Sequence, residues 1–411
     1  MHGVHGNMNK YALAALALVA SGTSAAAGTD PWSSKLDRDF ATLAARVAPE
    51  SSGVTVSGFL RSSYTYSKDT LAWDDANNNG TVEAGELDSS DIGGVSIDDA
   101  RLKFVGTIGN FGLTVAIDGT RQTHDDVNST GSTIYDDHGA YGQTGSLTGG
   151  VQMLDAFASW KFNDQLRVQA GRFRTPFLAS ALRDEDEMLF INRSLLGTHW
   201  AQRDEGIQLS GEMPLGNNAS WGYALAVQNG QDDAGNEQAY SARLHFTPIG
   251  SPSRTEGAVG APNSPSFTVG VAFFDDDNDN GTDTGDLIAA AVDATFTLGQ
   301  FAVAAEAVDY NGQFGLEVPN GVGTFTEVVS DSQPFSATFS YRFDDAARPV
   351  AEIAVRFEDL DDDEKSTIQT WGLNWFVKEH TAKVQLNYSV ADSDDEARNM
   401  DVAAIGLTIS L

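Results

Sequence analysis

The chain has 411 residues, a formal net charge of −33, 41 glycines, 11 prolines and no cysteine. The acid excess excludes a nucleic-acid partner, whose phosphates it would repel, and no basic amphipathic helix is present to lie on a membrane surface. Without a thiol there is no disulfide framework, no thiolate chemistry and no Cys-ligated metal, while abundant glycine with sparse proline suits sheet with many turns.

Met8-Asn9-Lys10, the apolar run Tyr11–Ala20 and Ala25-Ala26-Ala27 supply the three parts of a secretory signal peptide, which predicts cleavage after residue 27. The run is too short to span a bilayer, which takes ~20 residues. Residues 28–53 are expected to be a periplasmic N-terminal segment. Within it Leu36, Phe40, Leu43 and Val47 recur at helical spacing before Pro49, the mark of a short amphipathic helix; a frayed arm is the alternative.

From Val54 to Leu411 the chain reads as all-β. Strand-like runs fall at 54–66, 96–108, 111–119, 151–162, 166–173, 202–213, 220–229 and 238–247. Eight more fall at 266–274, 287–297, 300–310, 335–343, 350–358, 367–377, 380–390 and 400–411. Most alternate with period two. Leu154, Ala156, Ala158, Trp160 and Phe162 oppose Asp155, Ser159 and Lys161; Ile405, Leu407, Ile409 and Leu411 oppose Gly406, Thr408 and Ser410. An even number of such strands, greasy on one face and polar on the other, predicts a 16-stranded antiparallel transmembrane β-barrel.

The connections alternate in length. Long ones at 67–95, 120–150, 174–201, 230–237, 275–286, 311–334, 359–366 and 391–399 are separated by tight turns such as Gly109-Asn110, Asn163–Gln165 and Lys378-Glu379. Outer-membrane barrels have short periplasmic turns and long outer loops. One connection breaks the rule: 248–265, rich in Pro, Gly and Ser, falls where a short turn belongs. Aromatics near strand ends (Tyr64, Tyr66, Trp160, Trp221, Tyr223, Trp371, Trp375, Tyr388) fit a girdle at the membrane interface, although aromatics are common in strands generally.

The patches Asp155–Phe162 (DAFASWKF), Leu166–Phe177 (LRVQAGRFRTPF), Arg203–Gly211 (RDEGIQLSG), Gly372–Phe376 (GLNWF) and Val384–Ser389 (VQLNYS) carry a family likeness. In these the sequence resembles the phosphate-selective porins O and P. The resemblance implies an outer-membrane pore of a Gram-negative-type cell, embedded in outer-membrane lipid. It further implies a homotrimer, with the third loop folded into the lumen. The chain departs from the pattern in closing on Leu411 rather than an aromatic residue, and in lacking a dense basic cluster that matches a tight phosphate site. The expected solutes are therefore small ions and general solutes, with a weak preference for anions.

With the polar strand faces taken as the lumen, the inward basic residues are Arg61, Arg101, Lys103, Lys161, Arg167, Arg243, Arg342, Arg356 and Lys383. The inward acids are Asp99, Asp118, Asp155, Asp293, Glu306 and Glu352. Rings of Arg or Lys favour anions in a pore; the same residues also read as cross-strand ion pairs that stabilise the wall. The third loop, Arg174–Ala201, carries Leu178, Leu182, Met188, Leu189, Phe190, Ile191, Leu195 and Leu196, too apolar for a loop in water. It is expected to pack inside the barrel and bring Arg174, Arg183 and Arg193 to a constriction; a lid over a subunit interface is the alternative. Its four consecutive acids, Asp184 to Glu187, cannot all face one way.

Asp75–Glu86 (DANNNGTVEAGE) follows a calcium-loop pattern. Asp75, Asn77 and Asn79 occupy the first three ligand positions, Gly80 the sharp turn, Thr81 the carbonyl position, Glu83 the water-bridged position and Glu86 the bidentate position. Asp276–Asp286 begins in the same way but lacks the final glutamate. A hydrated acidic loop is the plain alternative for both. No His or Ser/His/Asp arrangement carries catalysis, so neither an enzyme nor a required cofactor is expected; Ca²⁺ in an outer loop is the one ion called for.

Two function classes remain: an outer-membrane pore, or a secreted all-β surface or binding protein with calcium-ordered loops. They differ in whether the apolar faces point out to lipid or in to a core. For the calcium loop the expected affinity is roughly millimolar, as in extracellular modules. Calorimetry should show binding that Glu86→Ala abolishes, and identical titrations would remove the assignment.

Overall fold

The computed structural model describes residues 52–73, 87–122, 150–216, 218–230, 238–262, 264–276, 287–311, 332–343, 350–362, 365–394 and 399–411. The signal-peptide segment, the amphipathic run before Pro49 and the calcium pattern at Asp75–Glu86 lie outside these residues, as does all of the second acidic stretch except Asp276. The compact unit that carries the site comprises residues 55–105 and 110–411.

The first eight strands are β1 (Ser52–Trp73), β2 (Leu87–Ile108), β3 (Phe111–Gln122), β4 (Gly150–Asn163), β5 (Leu166–Arg174), β6 (Arg203–Leu215), β7 (Ala219–Gln228) and β8 (Ala239–Ile249). Then come β9 (Ser266–Asp276), β10 (Leu287–Leu298), β11 (Phe301–Tyr310), β12 (Phe335–Phe343), β13 (Val350–Asp359), β14 (Thr367–Lys378), β15 (Ala382–Asp392) and β16 (Met400–Ser410). Each is a neighbour of the strands before and after it in sequence, and β1 pairs with β16 from Phe59↔Ser410 to Lys68↔Asp401, so the barrel is closed. Closure leaves no edge strand with unpaired backbone groups. All sixteen predicted runs are strands. β1 and β2 extend well beyond their predicted ends, through stretches of Ser, Lys and Asp that carry no alternation.

The register lines residues up in rungs of opposite character. Tyr341, Ile353, Leu373, Leu386, Ile405 and Tyr64 face one another across successive strands. The adjacent rung is Arg342, Glu352, Asn374, Gln385, Gly406 and Ser63. The apolar rung is the exposed one: Ile405 is 46 % exposed, while Glu352, Asn374 and Gln385 are buried. A soluble sandwich buries its apolar faces. Here they point away from the protein, as lipid contact demands, and this removes the secreted-protein alternative. Of the girdle aromatics, Tyr64, Tyr66, Trp160, Trp371, Trp375 and Tyr388 are on this exposed surface, whereas Trp221 and Tyr223 are only partly exposed.

Candidate functional site: the loop-filled lumen

The segment between β5 and β6 turns into the barrel. It forms a short helix α1 (Ala179–Leu182), a 3-10 turn at Glu185–Glu187 and a second short helix α2 (Leu195–His199), whose first turn is capped by Ser194 Oγ accepting from Gly197 N at 3.0 Å. Its apolar side chains explain its position. Phe177, Leu178, Ala181, Leu196 and Trp200 pack against Ala239, Phe274, Ala291, Tyr310 and Ile368 of the wall. Leu189 and Phe190 pack with Val259, Ala354 and Phe376. Each fully buried side chain of this size contributes about 1.5–3 kcal/mol. Leu182 is the exception among the expected core residues, being 38 % exposed at the end of α1.

A strandless segment inside a barrel has backbone groups with no ladder to join, and buried amides and carbonyls need partners. The wall supplies them from side chains. Glu306 accepts from Ser180 N at 2.8 Å and from its hydroxyl. Glu358 accepts from Leu195 N at 2.7 Å, and Asn387 Oδ1 from Ile191 N at 2.7 Å. Donors reach the carbonyls: Arg61 to Ile191 at 2.7 Å, Arg356 to Asn192 at 3.1 Å, Gln385 to Leu189 at 2.8 Å, Lys383 to Asp186 at 2.9 Å, and Arg243 to Phe177. Arg356 also stacks over the Phe190 ring, its guanidinium carbon 4.6 Å from the centroid.

Glu185 is the hub of the loop. Its carboxylate accepts from Arg101, Arg174 and Arg193, the last at 2.9 Å. Arg101 in turn binds Asp118 at 2.9 Å and Asp99 at 2.9 Å, and Asp99 binds Arg61 at 2.5 Å. Burial pushes the Glu185 carboxyl up, but the Arg101, Arg174 and Arg193 guanidiniums prevail and hold it well below the usual carboxylate range. Its neighbours separate as the sequence required: Asp184 meets Arg174 at 3.7 Å and Lys103 at 3.5 Å, while Asp186 accepts from Ser410 Oγ at 2.8 Å. His199, packed against Trp200 and Tyr310, is depressed by desolvation to about 4 and is neutral at pH 7.

The expected lumen cations divide into two groups. Arg61, Arg101, Arg243, Arg356 and Lys383 are buried beneath the loop and occupied by acids or carbonyls, with Arg243 on Asp293 at 2.9 Å and Arg356 on Glu358 at 2.9 Å. Arg342 donates to Ala258 O at 3.0 Å. Lys103 and Lys161 keep side-chain exposures of 36 % and 58 %, and Arg167 lies half-buried over the Phe157 ring. Arg174, the last residue of β5, and Arg193 of the loop join the hub, and Arg183 donates to Arg254 O at 3.3 Å instead. Asp155 pairs with Arg203 at 3.0 Å. The sequence reading missed Glu358, Asn387 and Gln385, the loop's main wall partners besides those it named. Their inward parity was readable from the strand alternation; a count of charges passes over the amides Asn387 and Gln385, and it left out Glu358 near the end of β13.

A closed barrel with lipid-facing apolar rungs and a loop folded into its polar interior defines a transmembrane channel of the outer-membrane type. The chain belongs to the phosphate-selective porin O and P family, whose profile matches residues 68–410. It is a porin of the outer membrane. Similar solved structures include the outer-membrane channel DcaP of Acinetobacter baumannii, at TM-score 0.52 and 13 % identity over 89 % of this chain and 99 % of that one. They also include OprB of Pseudomonas putida, at 0.52 and 11 % over 92 % and 97 %, and a loop-deletion mutant of OmpT of Vibrio cholerae, at 0.51 and 13 % over 88 % and 99 %. At these identities the likeness is one of fold. No curated protein matches the sequence.

Glu187 gives the loop a pH dependence. Burial, reinforced by Asp184 and Asp186 and opposed by Arg183 and Arg254, pushes its carboxyl from 4.5 up to about 7. A raised acid favours the inserted state while protonated, so its contribution is complete below pH 4.5 and is lost as pH rises through about 7. Single-channel recordings of the wild type should therefore show more loop-derived flicker as pH climbs through that window. Glu187→Gln should flatten the profile; an unchanged profile would show that Glu187 does not couple to seating of the loop.

Proposed function

We propose that this porin passes small hydrophilic solutes passively with a weak preference for anions, without a tight phosphate site. The observation that carries the preference is which charges remain open to solute. The inward acids Asp99, Asp118, Asp293, Glu306 and Glu352 are buried and are bound to guanidiniums, backbone amides or a hydroxyl. Lys103, Lys161 and Arg167 keep part of their side chains exposed. Lys103 and Lys161 are matched by Asp184 and Asp164, whose side chains are 42 % and 82 % exposed, so the positive bias falls to Arg167 and is small. Export by removal of residues 1–27 and assembly as a homotrimer belong to the same proposal, supported by the leader pattern and the family resemblance respectively.

A reversal potential across a planar bilayer in a KCl gradient reads the preference. The expected result at high salt, where the Debye length falls to ~3 Å and outer charges are screened, is a small potential of chloride sign. A clear potassium preference under those conditions would mean that the acidic side of the loop faces the solute.

A further inference from the structure

The β8–β9 connection does not behave like the other described turns at its end of the barrel. Gly109-Asn110, Asp164-Gln165 and Gly299-Gln300 close their hairpins in two residues. Between Ile249 and Ser266 the chain instead turns inward, and Ala258 becomes only 1 % exposed. A segment rich in Gly, Ser and Pro offers little apolar bulk beyond Val259, which packs with Leu189 and Phe190, so specific bonds must supply much of its placement.

Those bonds come from two sides. On the wall, Glu352 of β13 grips consecutive amides with its two oxygens, Ala258 N at 2.7 Å and Val259 N at 3.0 Å. Arg342 of β12 takes the Ala258 carbonyl at 3.0 Å, and His380 Nε2 lies 3.1 Å from the Val259 carbonyl as its donor. Toward the centre the connection meets the β5–β6 loop: Glu256 N donates to Glu187 O at 3.0 Å, and the Glu256 carboxylate accepts from Leu189 N at 2.8 Å. Gly257 sits where the two segments and the wall converge. Its φ of +90° disfavours any side chain, and a Cβ there would meet Glu352 Oε1 at 2.6 Å and Leu189 Cδ1 at 2.7 Å. What the two segments leave against β10–β12 is a narrow crevice bordered by Arg183, Thr255, Glu256, Thr297 and Thr338.

From this arrangement we infer that Gly250–Pro262 is a second constriction element, inserted from the short-turn end, and that Glu352 is the residue that positions it. The conducting cross-section is set jointly by the two inserted segments. Glu352 therefore acts through the connection and not through contact with solute. The inference rests on the channel function but not on its charge preference, so a reversal potential of the wrong sign leaves it standing.

Three variants test it, each checked first for a folded barrel by its heat-dependent gel shift. One replaces Ser251–Ser264 by a two-residue Asn-Gly turn; the others are Gly257→Val and Glu352→Gln. Removing one of two narrowing segments should raise single-channel KCl conductance about twofold or more for the shortened chain, with a smaller rise for the point variants. Conductance equal to the wild type in a folded shortened chain would overturn the inference. A second readout is independent of conduction and is clean because the chain has no cysteine. Ala258→Cys should react slowly with a small water-soluble maleimide and at least about tenfold faster when combined with Glu352→Gln, as expected for a site that must open locally to react. Rapid reaction in the single variant, or equal rates in the two, would show that the connection is not held in the lumen by Glu352.

Discussion

The constraint on which this structure depends is the need to satisfy backbone groups in a segment that has no strand to pair with. Inside a barrel most wall amides and carbonyls are already committed to the ladder. An inserted loop must therefore take its partners from wall side chains, or leave buried polar groups unpaired at about 1–3 kcal/mol each. Glu306, Glu358 and Asn387 serve the amides of Ser180, Leu195 and Ile191; Arg61, Arg356, Lys383 and Gln385 serve the carbonyls. The polar interior is in large part a docking surface for the chain's own loop.

That constraint changes what the charges mean for transport. An arginine bonded to a loop carbonyl or to a buried carboxylate contributes little free charge to a passing ion, because its field is cancelled within a few ångströms. Glu185 shows this most fully: one carboxylate neutralises part of Arg101, Arg174 and Arg193 together and fixes the loop to β2. Removing one partner from such a buried set costs about 3–5 kcal/mol in comparable cases. The residues that hold the loop are thus separable from those that a solute meets, and selectivity falls to the few exposed groups at the margins of the loop. The charged wall and the filled lumen have one physical origin.

Much of this was legible in the sequence. Alternation marked most of the strands, and the outward placement of Tyr64, Ile405, Leu386 and Ile353 and the inward placement of Ser63, Gln385 and Glu352 follow from parity alone. The apolar content of Arg174–Ala201 pointed to an interior position for the loop. Polarity failed where the inner face is itself apolar: Ala239, Ala289, Ala291, Val308 and Ile368 face inward because the loop covers them. Along such strands both faces look alike. The pairing inside the acidic run could not be read either, because the 3-10 turn at Glu185–Glu187 decides which carboxylate meets the arginines. The irregular 248–265 connection was visible as an exception to the length rule, and its cause lies in the bidentate grip of Glu352, which sequence spacing does not reveal.

Amide hydrogen exchange of the folded protein in detergent micelles tests the central claim most directly. The loop amides of Ser180, Leu189, Ile191 and Leu195 each donate to a side-chain carboxylate or amide oxygen, three of them from the wall and one from Glu256. The account predicts that these four exchange as slowly as strand amides, despite lying outside any ladder. Exchange at the rate of an unstructured peptide would contradict it, because the loop would then be exposed to water rather than bonded to the wall.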